Sequence, residues 1–239
     1  MLYKKEMLMQ KPIGIIGAMS DEVKGLIARL SSHKSELVGG IEFHTGEISG
    51  KSVVIAQCGV GKVFAAMCAE AMIIKYSPRL IVNTGVGGAI ADTLACADTV
   101  VADKAVQYDM DTSPIGDPVG LISGINKIYF DSDERASEIV VSSAEELSIP
   151  VKRGIIATGD KFVADPVLKN EIKERFSASV CEMEGGAIAH VCYVNSTPFC
   201  IVRAISDGAD GNSPLDFPTF LKIAVKNSEA LTLSLIEKY

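Results

Sequence analysis

The chain has 239 residues, 48% of them hydrophobic and 22% charged, a balance that excludes a disordered chain and fits a globular protein of one to two domains. It carries 23 basic and 30 acidic residues for a net charge of −7, which leaves no electrostatic footprint for nucleic acid. A single domain of this length buries enough surface to need no metal or disulfide staple.

The segment from Met1 to Pro12 holds Lys4, Lys5 and Glu6, and Lys11 interrupts its short apolar stretch, so it is too short for a signal-peptide core. It is expected to be an N-terminal extension, residues 1–11, on a single domain that spans 1–239. Ile13 to Gly17 then reads as a buried strand, short, β-branched and closed by glycine. Asp21 to Leu30 reads as a helix with Ser20 as its N-cap and acids in the first turn. Leu37 to Ser49 and Ser52 to Gln57 read as strands joined at Ser49-Gly50-Lys51. Lys62 to Tyr76 is an Ala- and Met-rich helix ended by Ser77-Pro78. Leu80 to Thr84 is the next buried strand, after which Gly85 begins a glycine-rich turn.

Thr99 to Val106 is expected as a strand, and Asp109 to Gly124, with two prolines and several glycines, as a long irregular segment. Ser132 to Leu147 reads as a helix and Arg153 to Thr158 as a strand. Pro166 to Phe176 is a helix capped by Asp165, with proline in the first turn. Ser177 to Glu182, Gly186 to Val194, Phe199 to Ile205 and Phe217 to Lys238 follow as strand, helix, strand and terminal helix. Such alternation, with no linker or repeat, implies one α/β domain with a mixed or mostly parallel sheet.

The six cysteines form no C-x-x-C pair and mostly sit in apolar runs, so free thiols in a reducing compartment are expected. With only His33, His44 and His190 available, ligand spacing gives no zinc site, and no metal or cofactor is expected. No run approaches the ~18 apolar residues of a membrane span. The chain is therefore expected to be cytoplasmic, with no membrane or nucleic-acid partner.

In open α/β sheets ligands bind beyond the carboxyl ends of the strands. Those ends carry Asp21 and Glu22, then Gly85 to Gly88, then Met183 and Glu184, then Ser206 and Asp207. Acids recur at three of these four ends, without clustered bases. Gly85-Val86-Gly87-Gly88-Ala89-Ile90 and Gly59-Val60-Gly61-Lys62-Val63-Phe64 both fail the dinucleotide fingerprint at the last position, and neither is a P-loop. The glycines still allow a small ligand close to the backbone, or simply tight turns.

Gly14-Ile15-Ile16-Gly17-Ala18-Met19 with Glu22, Asn83-Thr84-Gly85-x-Gly87-Gly88, Gly159-Asp160-x-Phe162, Glu182-Met183-Glu184 and Arg203-Ala204-Ile205-Ser206-Asp207 occur in that order. From about Lys11 onward the chain resembles the 5′-methylthioadenosine/S-adenosylhomocysteine nucleosidases of the nucleoside phosphorylase superfamily. The resemblance implies a central mixed β-sheet, partly closed into a barrel and flanked by helices, assembled as a homodimer. It implies hydrolysis of the N-glycosidic bond of 5′-methylthioadenosine and S-adenosylhomocysteine, and of 5′-deoxyadenosine, releasing adenine and a 5-thioribose from the first two.

Nucleoside cleavage builds positive charge on the ribose and negative charge on the base, so one carboxyl group protonates the leaving purine and another activates water. The resemblance implies Asp207 as the acid at purine N7, with Ser206 beside it, and Glu22 as the base for water. Read from position alone, Asp207 is equally a salt-bridge partner of Arg203 or a loop cap. Glu22 is otherwise a first-turn acid worth ~0.3–1 kcal/mol against the helix dipole, with Asp21 an equal candidate. By the same resemblance Glu184 accepts the ribose hydroxyls, or else caps the helix that begins at Gly186. Glu182 and Met183 belong to the same sugar-side motif, Met183 lining the sugar. Arg203 organises water and carboxylates. Phe162 and Val163 form the adenine pocket, with Phe162 stacked on the base. Met19, Val60 and Phe217 form the apolar 5′ side, and Ile115 comes from the partner subunit. Val86 stands where the family usually has a serine that helps hold the water, and Gly87 where alanine is common. Losing that hydroxyl is worth ~0.5–1.5 kcal/mol, which slows turnover without abolishing it.

A nucleoside phosphorylase needs donors around phosphate. Here the first strand ends in Ala-Met, Val86 offers no hydroxyl, and Glu22 repels the dianion. A hydrolase is therefore favoured, with a purine nucleoside phosphorylase as the nearest alternative and an aminofutalosine hydrolase, which would use the same acids, as the other. A non-catalytic nucleoside-binding protein would need neither Asp207 nor Glu22.

Overall fold

The computed structural model describes residues 11–208 and 217–239. They build one α/β domain around a ten-stranded mixed sheet. The strands are β1 (Ile13–Gly17), β2 (Ser31–Val38), β3 (Ile41–Ile48), β4 (Lys51–Gln57), β5 (Leu80–Ala89), β6 (Thr99–Gln107), β7 (Tyr129–Asp131), β8 (Val151–Thr158), β9 (Ala178–Glu182) and β10 (Phe199–Asp207). The helices are α1 (Ser20–Ile27), α2 (Lys62–Tyr76), α3 (Glu134–Glu146), α4 (Pro166–Phe176), α5 (Gly185–Val194) and α6 (Phe217–Lys238).

The spatial order is β2-β3-β4-β1-β5-β9-β8-β6-β10, and β10 also pairs with β5. That extra pairing closes β5, β9, β8, β6 and β10 into a five-stranded barrel, from which β1 to β4 extend as an open wing. Side chains of α1, α3 and α6 (Val23, Leu26, Val140, Leu231, Leu235) share one apolar cluster with the sheet. Those of α2 and α5 (Cys68, Met72, Ile188, Cys192) share another. All six cysteines are free thiols, five of them buried.

The element that positions the site is β5. It runs parallel to β1 over Leu80–Asn83 and meets β9 antiparallel only at Gly88–Ala89. Between those two neighbours its edge has no strand partner, while β10 continues along the opposite edge. The glycines expected to form a turn from Gly85 are therefore inside a strand. Their smallness serves contacts from distant parts of the chain. A Cβ on Gly85 would stand 2.5 Å from Glu22 Oε1, and one on Gly87 would stand 2.5 Å from Val180 Cγ1 and 3.0 Å from the Cys181 carbonyl.

Other differences have equally local causes. The expected strand from Leu37 to Ser49 is two strands, turned at Gly39 and Gly40, both at positive φ. The short β7, which pairs with β6, carries too few residues to show an alternation. Helix α1 starts at Ser20 rather than after it; Met19 is the N-cap, and the Glu22 carboxylate reaches back to the Met19 N–H in place of a capping hydroxyl. Strand β10 extends past Ile205 to include Ser206 and Asp207. Asp165 caps α4 as expected, accepting from the Val167 N–H at 2.9 Å.

Because the Cys181 carbonyl is backbone and cannot turn aside, Gly87→Ala is expected to cost about 1–3 kcal/mol by overpacking. At this chain length that lowers the melting temperature by roughly 2–4 °C per kcal/mol. Thermal denaturation checks it, and an unchanged melting temperature contradicts the packing argument.

Candidate active site

The open edge of β5 faces a cavity of about 270 Å³ where the ends of β1, β5, β9 and β10 converge. Its walls are mainly apolar, yet four carboxylates line it: Glu22, Glu182, Glu184 and Asp207. Each is buried.

Glu22 sits in the first turn of α1, and its carboxylate is held by backbone alone. Oε2 accepts from the N–H groups of Ala18 at 2.7 Å and Met19 at 2.9 Å, and Oε1 accepts from the Val86 N–H at 3.1 Å. The last bond exists because β1 has left β5 before Val86. Burial pushes the Glu22 carboxyl above its ordinary range, against the pull of these hydrogen bonds and the Arg203 charge. Asp21, equivalent to Glu22 by sequence position, is instead exposed and paired with Lys24.

Asp207 ends β10 next to a bulge. Ile205 pairs with Gly87 and Asp207 with Gly88, so Ser206 is the extra residue. In a regular strand consecutive side chains face opposite ways, but at a bulge both can face one side. Ser206 and Asp207 accordingly both line the cavity. The Ser206 hydroxyl donates to Asp207 Oδ2 at 2.8 Å.

Glu182 and Glu184 bracket Met183 just after β9 and take different partners. Four donors converge on the Glu182 carboxylate: the Thr158 hydroxyl, the N–H groups of Glu184 at 3.1 Å and Gly185 at 2.7 Å, and Arg203 Nη2. Three of them reach Oε2 and only Thr158 reaches Oε1. Glu184 Oε1 accepts from the Gly61 N–H at 2.8 Å, in the loop that leads into α2. Burial first, then the neighbouring Glu182 charge, push the Glu184 carboxyl up to about 7.

Arg203 is fully buried. Nη1 donates to the carbonyls of Asn83 at 3.2 Å and Val202 at 3.1 Å, while Nη2 donates to Asn83 Oδ1 and Glu182. Its Nε has no protein partner. Asn83 in turn donates to the Ile16 carbonyl at 3.0 Å, which ties the guanidinium to β1.

Of the other residues singled out by sequence, Met19, Val60, Val86, Gly87, Phe162, Val163 and Met183 line the cavity. Val60 and Phe162 stand at its rim, 52% and 66% exposed. Ile115, on the 3₁₀ turn Ser113–Ile115, is 82% exposed and does not line the cavity of its own chain. Phe217 begins α6, but its side chain lies outside the described residues. Sequence reasoning missed Ala18, Gly88, Cys181 and Lys161, which also line the cavity. Ala18 stands in the first motif and Gly88 among the glycines at a strand end, with no role assigned to either. Cys181 faces the cavity from within β9, where only the barrel closure reveals its direction. Burial pushes the Cys181 thiol up to about 12. Among the described residues no group of three or more His, Cys, Asp or Glu side chains is arranged to hold a metal.

Residues 12–237 match the phosphorylase superfamily. The 5′-methylthioadenosine/S-adenosylhomocysteine nucleosidase of Shewanella sediminis is 36% identical over 227 residues, covering 95% of this chain and 99% of the relative. The solved 5′-methylthioadenosine/S-adenosylhomocysteine nucleosidase of Neisseria meningitidis, in complex with methylthio-immucillin-A, is similar with a TM-score of 0.91 at 31% identity, over 96% of this chain and 100% of that one. The futalosine hydrolase of Helicobacter pylori strain 26695 gives 0.91 at 31% identity, over 97% and 99%.

The Glu184 shift has a sign that can be measured. Between about pH 4.5 and 7 the folded protein keeps a proton on Glu184 that the unfolded chain has lost, so this group's contribution to stability falls as pH rises through that window. Glu22, also raised, acts in the same direction. Glu184→Gln is therefore expected to shrink the fall in melting temperature between pH 5 and pH 8. An equal fall in both proteins contradicts the assignment.

Proposed function

We propose, for a chain that belongs to the 5′-methylthioadenosine/S-adenosylhomocysteine nucleosidase family of the phosphorylase superfamily, that this cavity hydrolyses the N-glycosidic bond of those two nucleosides. The products are adenine and a 5-thioribose, and 5′-deoxyadenosine is a further substrate. The observation that carries the reading is the entry of Glu22 and Asp207 into one largely apolar cavity from two separate elements. Their different surroundings fit the two carboxylate roles that glycoside cleavage needs.

Glu22 takes the proton of the attacking water as oxygen bonds to C1′, and the burial that raises its pKa makes it a stronger base. The C1′–N9 bond breaks, its electron pair passes into the purine, and Asp207 gives a proton to N7. Ser206 holds the Asp207 carboxyl in position through its 2.8 Å hydrogen bond. Glu184 accepts the ribose hydroxyls, and its charge favours the developing cation on the sugar. Glu182, held by four donors that include Arg203 and the Glu184 N–H, acts through those two residues rather than on substrate. Phe162 stacks on adenine over Val163, Met183 lies along the sugar, and Met19 and Val60 receive the apolar 5′ group.

Val86 brings no hydroxyl to the water site, and its N–H is committed to Glu22. Arg203 does not line the cavity and its Nε is buried, so Glu22 is the group left to position the water. Phosphate in the same place would meet Glu22, while both Arg203 terminal nitrogens are engaged elsewhere, which favours hydrolysis over phosphorolysis. The likeness to a futalosine hydrolase supports 6-amino-6-deoxyfutalosine as a second candidate substrate with the same acids.

Helix α2 supports a homodimer. It is apolar nearly all round, and Val63, Phe64, Met67 and Ile74 remain exposed beside Tyr193 and Val194 of α5. A helix of that kind is buried in the working protein, and a patch of this kind marks an interface. The partner's copy of this face would bring its exposed Ile115 to the 5′ side of the cavity. Free thiols fit a cytoplasmic protein, and no helix among the described residues is long and apolar enough to cross a membrane. The reaction belongs to nucleoside catabolism and methionine salvage.

Asp207→Asn is expected to lower adenine release by about 10²–10⁴-fold with the fold intact, because the amide has no proton to give. Glu22→Gln should slow turnover sharply while nucleoside binding is kept. Adenine release from methylthioadenosine, S-adenosylhomocysteine, 5′-deoxyadenosine and aminofutalosine, with and without phosphate, tests the reaction class. A loss below tenfold in Asp207→Asn, or a requirement for phosphate, overturns the reading.

Light scattering should give twice the monomer mass. Met67→Glu, which puts a charge into the apolar face, should yield monomers with reduced turnover. A fully active monomer contradicts the assembly.

A further inference from the structure

Two of the three histidines in the chain meet on the β2–β3 hairpin, at the far end of the open wing from the barrel. His44 on β3 pairs with Ser35 on β2. His33 precedes Ser35 by two positions and so shares its face, diagonal to His44. The register breaks between Ser31 and Lys34, with Ser32 at a φ of +53°, and this irregularity aims the His33 ring across to β3. His33 Nε2 and His44 Nδ1 are 3.1 Å apart, with ring planes tilted by 41°.

We infer that His33 and His44 form a site for a divalent late transition-metal ion, with Zn²⁺ and Cu²⁺ as the fitting class. Two imidazole nitrogens that bind one tetrahedral Zn²⁺ at about 2.0–2.1 Å stand about 3.3 Å apart, close to the separation already present. Coordination by both rings needs no net loss of a proton. The ring that now donates moves its hydrogen to its other nitrogen, and both lone pairs then face the metal. Water fills the remaining positions, which are open because β2 is exposed and is the edge strand of the sheet.

A second observation points the same way. Glu42 lies two residues before His44 on the same face, and its Oε2 is 3.9 Å from His44 Nε2. When His44 coordinates through Nδ1, the Nε2 hydrogen is directed to that carboxylate. This is the arrangement in which an outer carboxylate orients a metal-bound imidazole and raises its basicity. Imidazole ligands select Zn²⁺, Cu²⁺ and Ni²⁺ over Mg²⁺ or Ca²⁺. The bound ion would pin the edge strand to β3, with no contact to the cavity at the other end of the sheet.

The test uses full-length protein without an affinity tag, stripped with chelator and titrated with ZnCl₂ and separately with CuCl₂ in a calorimeter. One equivalent of metal is expected, with a rise in melting temperature. His33→Ala and His44→Ala should each bind at least about tenfold more weakly, and Glu42→Gln about tenfold more weakly. The Cu²⁺ form should show two nitrogen ligands by electron paramagnetic resonance, and adenine release should be unchanged in all three variants. Equal binding by wild type and the His33→Ala, His44→Ala double variant overturns the site. So does an absence of binding by wild type at tenfold molar excess.

Discussion

Arg203 is a full charge without access to water, and the site is organised around keeping it satisfied. Its guanidinium bonds Asn83 of β5 and Glu182 of β9 from a position on β10, so three of the five barrel strands meet at one group. Thr158 of β8 joins through Glu182 and also accepts from the Gly186 N–H at the start of α5. Removing one member of such a buried pair leaves an unpaired charge and typically costs about 3–5 kcal/mol. The network therefore fixes the ends of the strands before any substrate arrives. Glu184, Ser206 and Asp207 extend from those fixed ends.

A second consequence of the barrel is the gap on β5. Parallel pairing with β1 and antiparallel pairing with β9 cannot occupy the same stretch of one edge, and the residues between them keep free N–H groups. Glu22 fills that gap. It completes the backbone hydrogen bonding of α1 and β5 at once, and it stays in the cavity as a carboxylate with little freedom to move. A group placed this way is held in one geometry by the backbone of two elements. The cost falls on its neighbours, since Gly85 must leave room for it.

Much of this was legible in the sequence where the signal is local. Helix α2 spans the expected Lys62–Tyr76 and ends at Ser77-Pro78, and α4 follows from Asp165 and Pro166. The rule that ligands lie beyond strand ends brought up Glu184, Ser206, Asp207 and the pair Asp21 and Glu22 without knowledge of their contacts, and the choice of Glu22 over Asp21 rested on the family resemblance. What was not legible depends on partners far away in the chain. The glycines of β5 look like a turn because the side chains that need their space belong to α1, β9 and β10. Glu182 and Glu184 look alike in sequence, and only the convergence of Thr158, Arg203 and two backbone groups separates them. The β2–β3 turn at Gly39-Gly40 was local, but the residues around it carry too little alternation to divide the strand.

The bulge in β10 separates two requirements that one strand would otherwise bind together. Asp207 lies opposite Gly88, the next residue after the Ile205–Gly87 pair, which is the place it would hold if Ser206 were absent. The extra residue adds a hydroxyl beside the carboxylate without changing the rung on which that carboxylate stands. The rung that carries Asp207 is set by the register with Gly88, and its hydroxyl partner by the inserted residue, so the two are fixed by separate features of one strand.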